Sequence, residues 1–336
     1  MIEIKNINEE DYKKFIENIK PISFLQNFEW GEVEKELGRE VYRVGIFDKE
    51  LIGVCQIIGY QAKRGNFLGI LHGPILKEEY KKFFIEIIKS LITHIKDLKL
   101  HHNYAFIRAN FLLEESKEIL RELNKIGFKR SPRLLVTENF WIKELDKSEE
   151  ELLNECTSHH KKLILESLEK EYIEIEKTNN LEKINIFLEL YKDLALRKKF
   201  VPYPENLIKK EFEVFSKNNK AILYLGKMEN KYYSAALIIL ENNIGFYHHG
   251  ASLYSKEPVN YKLHFKIIQD LKKMNFRFYN MWGITEKGPE HPWYGLTQFK
   301  KGFGGKLIKL LPTLDYPLSS KYYLTYIFEK YFENRL

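Results

Sequence analysis

The alternation of apolar and polar residues divides the chain into short amphipathic segments of two periods. Over 78–96, Phe83, Ile85, Ile87, Ile88, Leu91, Ile92 and Ile95 recur at helical spacing, which predicts a helix with one face turned to a core. Further helices are expected over 9–19, 28–37 and 114–125, the last closed by Gly127 as a C-cap. Runs rich in β-branched and aromatic residues lie between them. Residues 1–5 read as a strand, 41–47 and 51–58 as the arms of a hairpin around the polar turn Asp48-Lys49-Glu50, and 104–108 as another strand. Residues 138–145 read as the last strand of this half, before an acidic linker over 146–151.

The second half repeats that grammar. Helices are expected over 149–169 and 181–197, then a hairpin with arms 221–226 and 231–240, a strand over 244–248, a helix over 261–274 and a strand over 276–282. The same order twice implies two copies of one α/β unit. A terminal helix over 319–333 has no counterpart. The expected organisation is a first domain over 1–146, a second over 147–317, and a C-terminal helix over 318–336 packing back on the first, each domain a mixed sheet flanked by helices.

Length agrees, since 336 residues are about right for two domains of roughly 150. Two cysteines, Cys55 and Cys156, stand in no CxxC and near no His at ligand spacing, so neither a disulfide framework nor a metal site is expected. No apolar run approaches the ~20 residues of a membrane span and no leader pattern opens the chain, so a cytoplasmic protein is expected. The net charge of +7 comes from 54 basic and 47 acidic side chains. The surplus gathers at Lys161-Lys162, Arg197-Lys198-Lys199, Lys209-Lys210, Lys272-Lys273 and Lys300-Lys301, which suits a polyanion if these converge and a solvated surface if they do not.

Two such units in tandem look like a pair of GNAT-type acyltransferase domains. A GNAT domain that uses acyl-CoA carries an [RQ]xxGx[GA] turn whose backbone N–H groups hold the pyrophosphate. No such turn precedes either helix, and the Gly-rich 301–306 leads into a strand-like 307–311, so CoA is disfavoured and no cofactor is expected. The alternative reading keeps a CoA-dependent N-acyltransferase acting on a cell-envelope sugar or peptide amine.

Several segments carry a more specific likeness. Residues 23–38, SFLQNFEWGEVEKELG, are similar to the "FLQS-x-EWG-x-x-K-x-LG" helix of the FemABX family. Residues 246–252, FYHHGAS, resemble its "YYxGAS" strand, 279–284, YNMWGI, its "YDxWGI", and 295–305, GLTQFKKGFGG, its "GxxxFKxGFGG". The resemblance spans nearly the whole chain. It implies an aminoacyltransferase that moves an amino acid from aminoacyl-tRNA to the amine of a peptidoglycan-precursor stem peptide, carried on UDP-MurNAc-pentapeptide or lipid II. It implies positioning of donor and acceptor rather than a Ser/His/Asp or metal centre.

An aminoacyl ester is already activated and needs an unprotonated amine and a stabilised oxyanion. Lys300 is the candidate cation, with Phe299 beside it in the catalytic pair and Phe303 framing it as a substrate contact, against a solvated edge-strand lysine as the alternative. Gly302 belongs to the same motif as a substrate contact, or to a turn where backbones approach closely. By the resemblance Lys35 falls at a position that holds the acceptor's phosphate, beside Trp30, Phe28 and Leu25, whose helical spacing equally fits core packing. Arg108 and Asn110 match strand positions of the substrate site, Arg108 alternatively a salt bridge, and Asn110 stands where the family has an acid. Tyr203 falls near an acceptor-binding arginine and Tyr247 at a tyrosine of the substrate site, alternatively a core aromatic. Lys161, Lys162, Arg197 and Lys198 are expected tRNA contacts, His159 and His160 part of that basic helix face, and His248, His249 and His291 have no assigned role.

Overall fold

Local signals start and stop the elements where the chain turns polar. The structure, a computed structural model, describes residues 2–63 and 65–332. The start of the expected first strand at Met1 and the end of the terminal helix at 333–336 lie outside the described residues. The chain forms two compact units, residues 1–138 with 309–336, and residues 139–308.

In the first unit β1 (Glu3–Asn6) leads through Asn8, whose side chain accepts from Asp11 N at 2.8 Å, into α1 (Glu9–Ile19). α2 (Phe28–Glu36), β2 (Glu40–Asp48), β3 (Glu50–Tyr60), β4 (Phe67–Leu71), β5 (Ile75–Leu76), α3 (Phe84–Asp97), β6 (Phe106–Asn110), α4 (Lys117–Lys125) and β7 (Lys129–Arg130) follow. The second unit begins with β8 (Asn139–Glu144), α5 (Glu149–Asn154), α6 (Ser158–Glu169), β9 (Ile173–Thr178), α7 (Ile184–Lys198) and α8 (Glu205–Lys217). It continues with β10 (Ala221–Met228), β11 (Lys231–Glu241), β12 (Ile244–Ser252), α9 (Val259–Lys273), β13 (Phe278–Gly283), α10 (Tyr294–Lys301) and β14 (Lys306–Lys309). The chain then closes the first unit with β15 (Leu314–Pro317) and α11 (Lys321–Phe332).

The two sheets have the same plan. The first runs β1-β2-β3-β4-β6-β15-β7 and the second, read from its other end, β9-β10-β11-β12-β13-β8-β14. Each has four antiparallel strands, one parallel pair (β4 with β6, β12 with β13) and an antiparallel strand beyond it. That last strand is a correction to the expected order. Residues 138–145 were expected to close the first domain, but β8 pairs with β13 in the second sheet, and the corresponding place in the first sheet is filled by β15.

Three further departures have local causes. The helix expected over 149–169 is two helices, because Ser148 and Thr157 each cap a helix N-terminus, Ser148 with Glu151 as a capping box. α8, with Ile208, Phe212 and Phe215 on its buried face, was not among the expected helices. Residues 294–301 form a helix, not an edge strand. In the second unit α6 and α9 cover one sheet face over Ile222, Tyr224, Ala236 and Ile238, while α7 and α8 cover the other. Among the described residues no helix is long and apolar enough to cross a membrane.

Candidate functional site

The parallel pair of the second sheet is short. β12 and β13 are hydrogen-bonded only at Ile244 to Phe246 opposite Phe278 to Asn280, although β12 continues to Ser252 and β13 to Gly283. Beyond those residues the strands diverge, and the last turn of α10 places Lys300 at the fork. Its Nζ donates to the Gly283 carbonyl at 2.7 Å, on the β13 side, and lies 5.6 Å from the ring centroid of Tyr247, on the β12 side. Lys300 is 4% exposed, so the edge-strand alternative does not hold.

The surroundings of this ammonium are aromatic and neutral. His264 of α9 packs edge-on against Tyr247 at 4.6 Å and shares a 2.8 Å hydrogen bond with the Tyr279 hydroxyl. Burial, and then the Lys300 charge, pull His264 down to about 3, so the ring is uncharged at neutral pH. Burial alone draws Lys300 from its ordinary 10.5 to about 7. No carboxylate among the described residues pairs with it. An ammonium beside π-faces and a carbonyl is a site for transient negative charge.

The neighbours of Lys300 in the motif divide by depth. Phe299 is half-buried, 5.2 Å from His264, and its carbonyl accepts from His160 Nε2 at 2.9 Å. Phe303, expected as a substrate contact, is fully buried in the core under α6 and α9. Gly302 likewise serves packing, since a Cβ there would lie 2.0 Å from His160 Cε1. His160 is buried among Tyr261, Phe299 and Phe303 and is not part of a basic helix face. Gly304 and Gly305, at φ +78° and +108°, make the turn into β14 that the Gly-rich run foreshadowed.

The other expected residues are dispersed. Lys161 binds Asn154 Oδ1 at 2.6 Å and with Lys162 sits on α6, whereas Arg197 and Lys198 end α7 on the other sheet face; Arg197 donates to the Ser252 carbonyl. These four do not make one patch. Tyr203 is exposed and stands edge-on to His249 at 5.5 Å. His249 and His248 face Glu211 of α8; burial alone would raise this carboxyl, but the two imidazoles bring it to about 2.

In the first unit Lys35 is half-exposed and 3.0 Å from Glu32, free to exchange that partner for an anion in water. Trp30 is buried and packs edge-on to Phe24 at 5.7 Å. Arg108 is bidentate to Asp315, at 2.8 and 2.9 Å, and also bound to Glu329 at 2.7 Å. Its guanidinium thereby ties β15 and α11 to β6, the salt bridge named as the alternative. Asn110 is buried and donates to the Leu311 carbonyl at 3.0 Å, so it too ties in the returning chain and is no base. His72, buried between Ser23 Oγ at 2.8 Å and the Thr137 carbonyl at 3.3 Å, is pushed by burial to about 4 and had no signal in its sequence context.

Comparison with known proteins agrees with this geometry. The FemAB family model matches residues 7–245 and 234–330. A crystal structure of FemX is similar at a TM-score of 0.82 and 18% identity, covering 96% of this chain and 98% of that one. A tandem GNAT protein from the clavulanic acid biosynthesis pathway is similar at 0.61 and 8%, covering 95% and 99%, and L-PGS from Bacillus licheniformis at 0.57 and 14%, covering 97% and 98%. At these identities the likeness is one of fold, and it establishes the mixed α/β, tandem GNAT-like architecture. No curated protein matches the sequence. The chain belongs to the FemAB family.

Proposed function

We propose that this FemAB-family chain transfers an amino acid from aminoacyl-tRNA to the amine of a peptidoglycan-precursor stem peptide, with Lys300 as the residue that meets the reacting carbonyl. The observation carrying the proposal is an ammonium without a carboxylate partner, buried where β12 and β13 part. In this reading the acceptor amine attacks the ester carbonyl. A C–N bond forms, and the carbonyl oxygen becomes an oxyanion that the Lys300 ammonium stabilises. The C–O bond then breaks with its electron pair leaving on the ribose oxygen, which takes up a proton as the new amide nitrogen loses one. The donor is already an activated ester, so the protein's tasks are position and charge. Lys35 serves as an exposed cation for the acceptor's phosphate, while Tyr247 and Phe299 fix the walls around Lys300.

The test separates donor classes as well as residues. Purified protein is incubated with charged total tRNA and either UDP-MurNAc-pentapeptide or lipid II, and in parallel with acetyl-CoA, and products are weighed by mass spectrometry. The expected outcome is one added aminoacyl residue, dependent on tRNA, with Lys300→Met slower by ~10²-fold or more, the scale of losing one oxyanion donor. Acetylated product without tRNA would replace this reading by the CoA-dependent one. An unchanged rate in Lys300→Met would remove Lys300 from the chemistry.

A further inference from the structure

The other face of the same sheet holds an arrangement that this reaction leaves unused. Glu211, fully buried on α8, lies under β12, with His249 Nε2 2.6 Å from its Oε2 and His248 Nε2 3.3 Å from its Oε1. Three potential ligand atoms therefore fall within 4.8 Å of one another. Consecutive residues of a regular strand point to opposite faces. Here Leu237 pairs with His249 and Ile238 with Tyr247, so His248 is the extra residue of a β-bulge. The bulge sends Tyr247 toward Lys300 and brings both imidazoles to one carboxylate. Phe187, Tyr191 and Tyr203 ring His249, and Trp282 stands edge-on to His248, giving the cluster an aromatic wall.

We propose that Glu211, His248 and His249 bind one divalent transition-metal ion of the zinc class. Two imidazole nitrogens and one carboxylate oxygen form the donor set of three-ligand zinc sites, with the fourth position left to water or an anion. The 3.3 Å separation of His248 Nε2 from Glu211 Oε1 is that of two ligands on one tetrahedral ion. His249 Nε2 lies against the other oxygen, Oε2, at 2.6 Å, so the ion requires this ring to withdraw by roughly 0.7 Å and the carboxylate to turn one oxygen to both imidazoles, a side-chain adjustment. A cation also answers the cost of an anion buried on α8, which the imidazoles otherwise meet alone. The proposal stands apart from the transfer reaction and is tested without it.

The full-length chain is stripped with a chelator and titrated with Zn2+ alone by calorimetry, with melting temperature followed in parallel. One saturable equivalent per chain and a melting temperature that rises with Zn2+ are expected. Glu211→Gln and His248→Ala should each weaken binding at least about tenfold, since even outer partners of a metal ligand are worth that much. His291→Ala, away from the cluster, should bind as the parent does. Because Glu211→Gln alters a buried carboxylate, His248→Ala with an unchanged circular dichroism spectrum is the deciding variant. Absence of a saturable site in the stripped chain, or full zinc affinity in His248→Ala, overturns the proposal.

Discussion

Taking an ammonium out of water without giving it a carboxylate costs free energy, and Lys300 bears that cost in the folded state alone. Its proton is held with a pKa of about 7 when folded and near 10.5 when unfolded. Between those values the unfolded chain binds more protons, so the stability contribution of Lys300 rises with pH across that window; below about 7 both states are protonated and the full cost is felt. Lys300→Met, apolar and similar in volume, should therefore be more stable than the parent near pH 6, by on the order of 4 kcal/mol. The difference should shrink toward pH 10. Urea denaturation of both proteins across that range measures it, and a pH-independent difference would show that the ammonium is not desolvated as described. The same substitution is expected to lower transfer and raise stability, the combination that marks a residue kept for chemistry.

At the scale of elements, placement of Lys300 rests on α10 and on the close approach of Gly302 to His160. A methyl at 302 has to displace an imidazole that is held by Phe299 O and Thr157. Gly302→Ala is expected to cost about 1–3 kcal/mol, the usual range for overpacking, and to be non-additive with His160→Ala, which removes the obstructing ring. Strictly additive denaturation free energies in that double-mutant cycle would refute the contact. The elements differ in how far the sequence disclosed them. Both long hairpins, α3 and α9 follow from period alone, because their apolar stripes are continuous. The 294–301 helix did not, since Gly295 and the polar Thr297 and Gln298 interrupt its apolar face. Lys300 and its aromatic setting were visible from its motif, but its bond to the Gly283 carbonyl was not. The pairing of Glu211 with two adjacent histidines depends on a bulge, and one skipped residue in a ladder leaves no trace in periodicity.

At the scale of the whole molecule the chain order and the folded units do not coincide. β15 lies between β6 and β7, and Arg108 on β6 has both acidic partners in residues that follow the second unit. Strands assigned by proximity in sequence go astray at this point, because consecutive elements are usually neighbours in space and here they are not. Residues 139–308, expressed alone, should fold cooperatively. Residues 1–138 alone should not, for β6 would keep β4 but lose β15 on its other side, and Arg108 would lose both of its carboxylate partners. Joining 309–336 to 1–138 by a flexible linker should restore a cooperative urea transition with dispersed amide resonances. Cooperative folding of unaided 1–138 would contradict the dependence on β15.

The late arrival of β15 sets a timetable for synthesis on the ribosome. Residues 1–138 have to wait, with a gap in their sheet, until β15 has been translated, whereas residues 139–308 can settle earlier. A nascent polypeptide stalled near residue 308 would then carry a finished second half behind an unfinished first, inverting the usual order in which a growing chain matures.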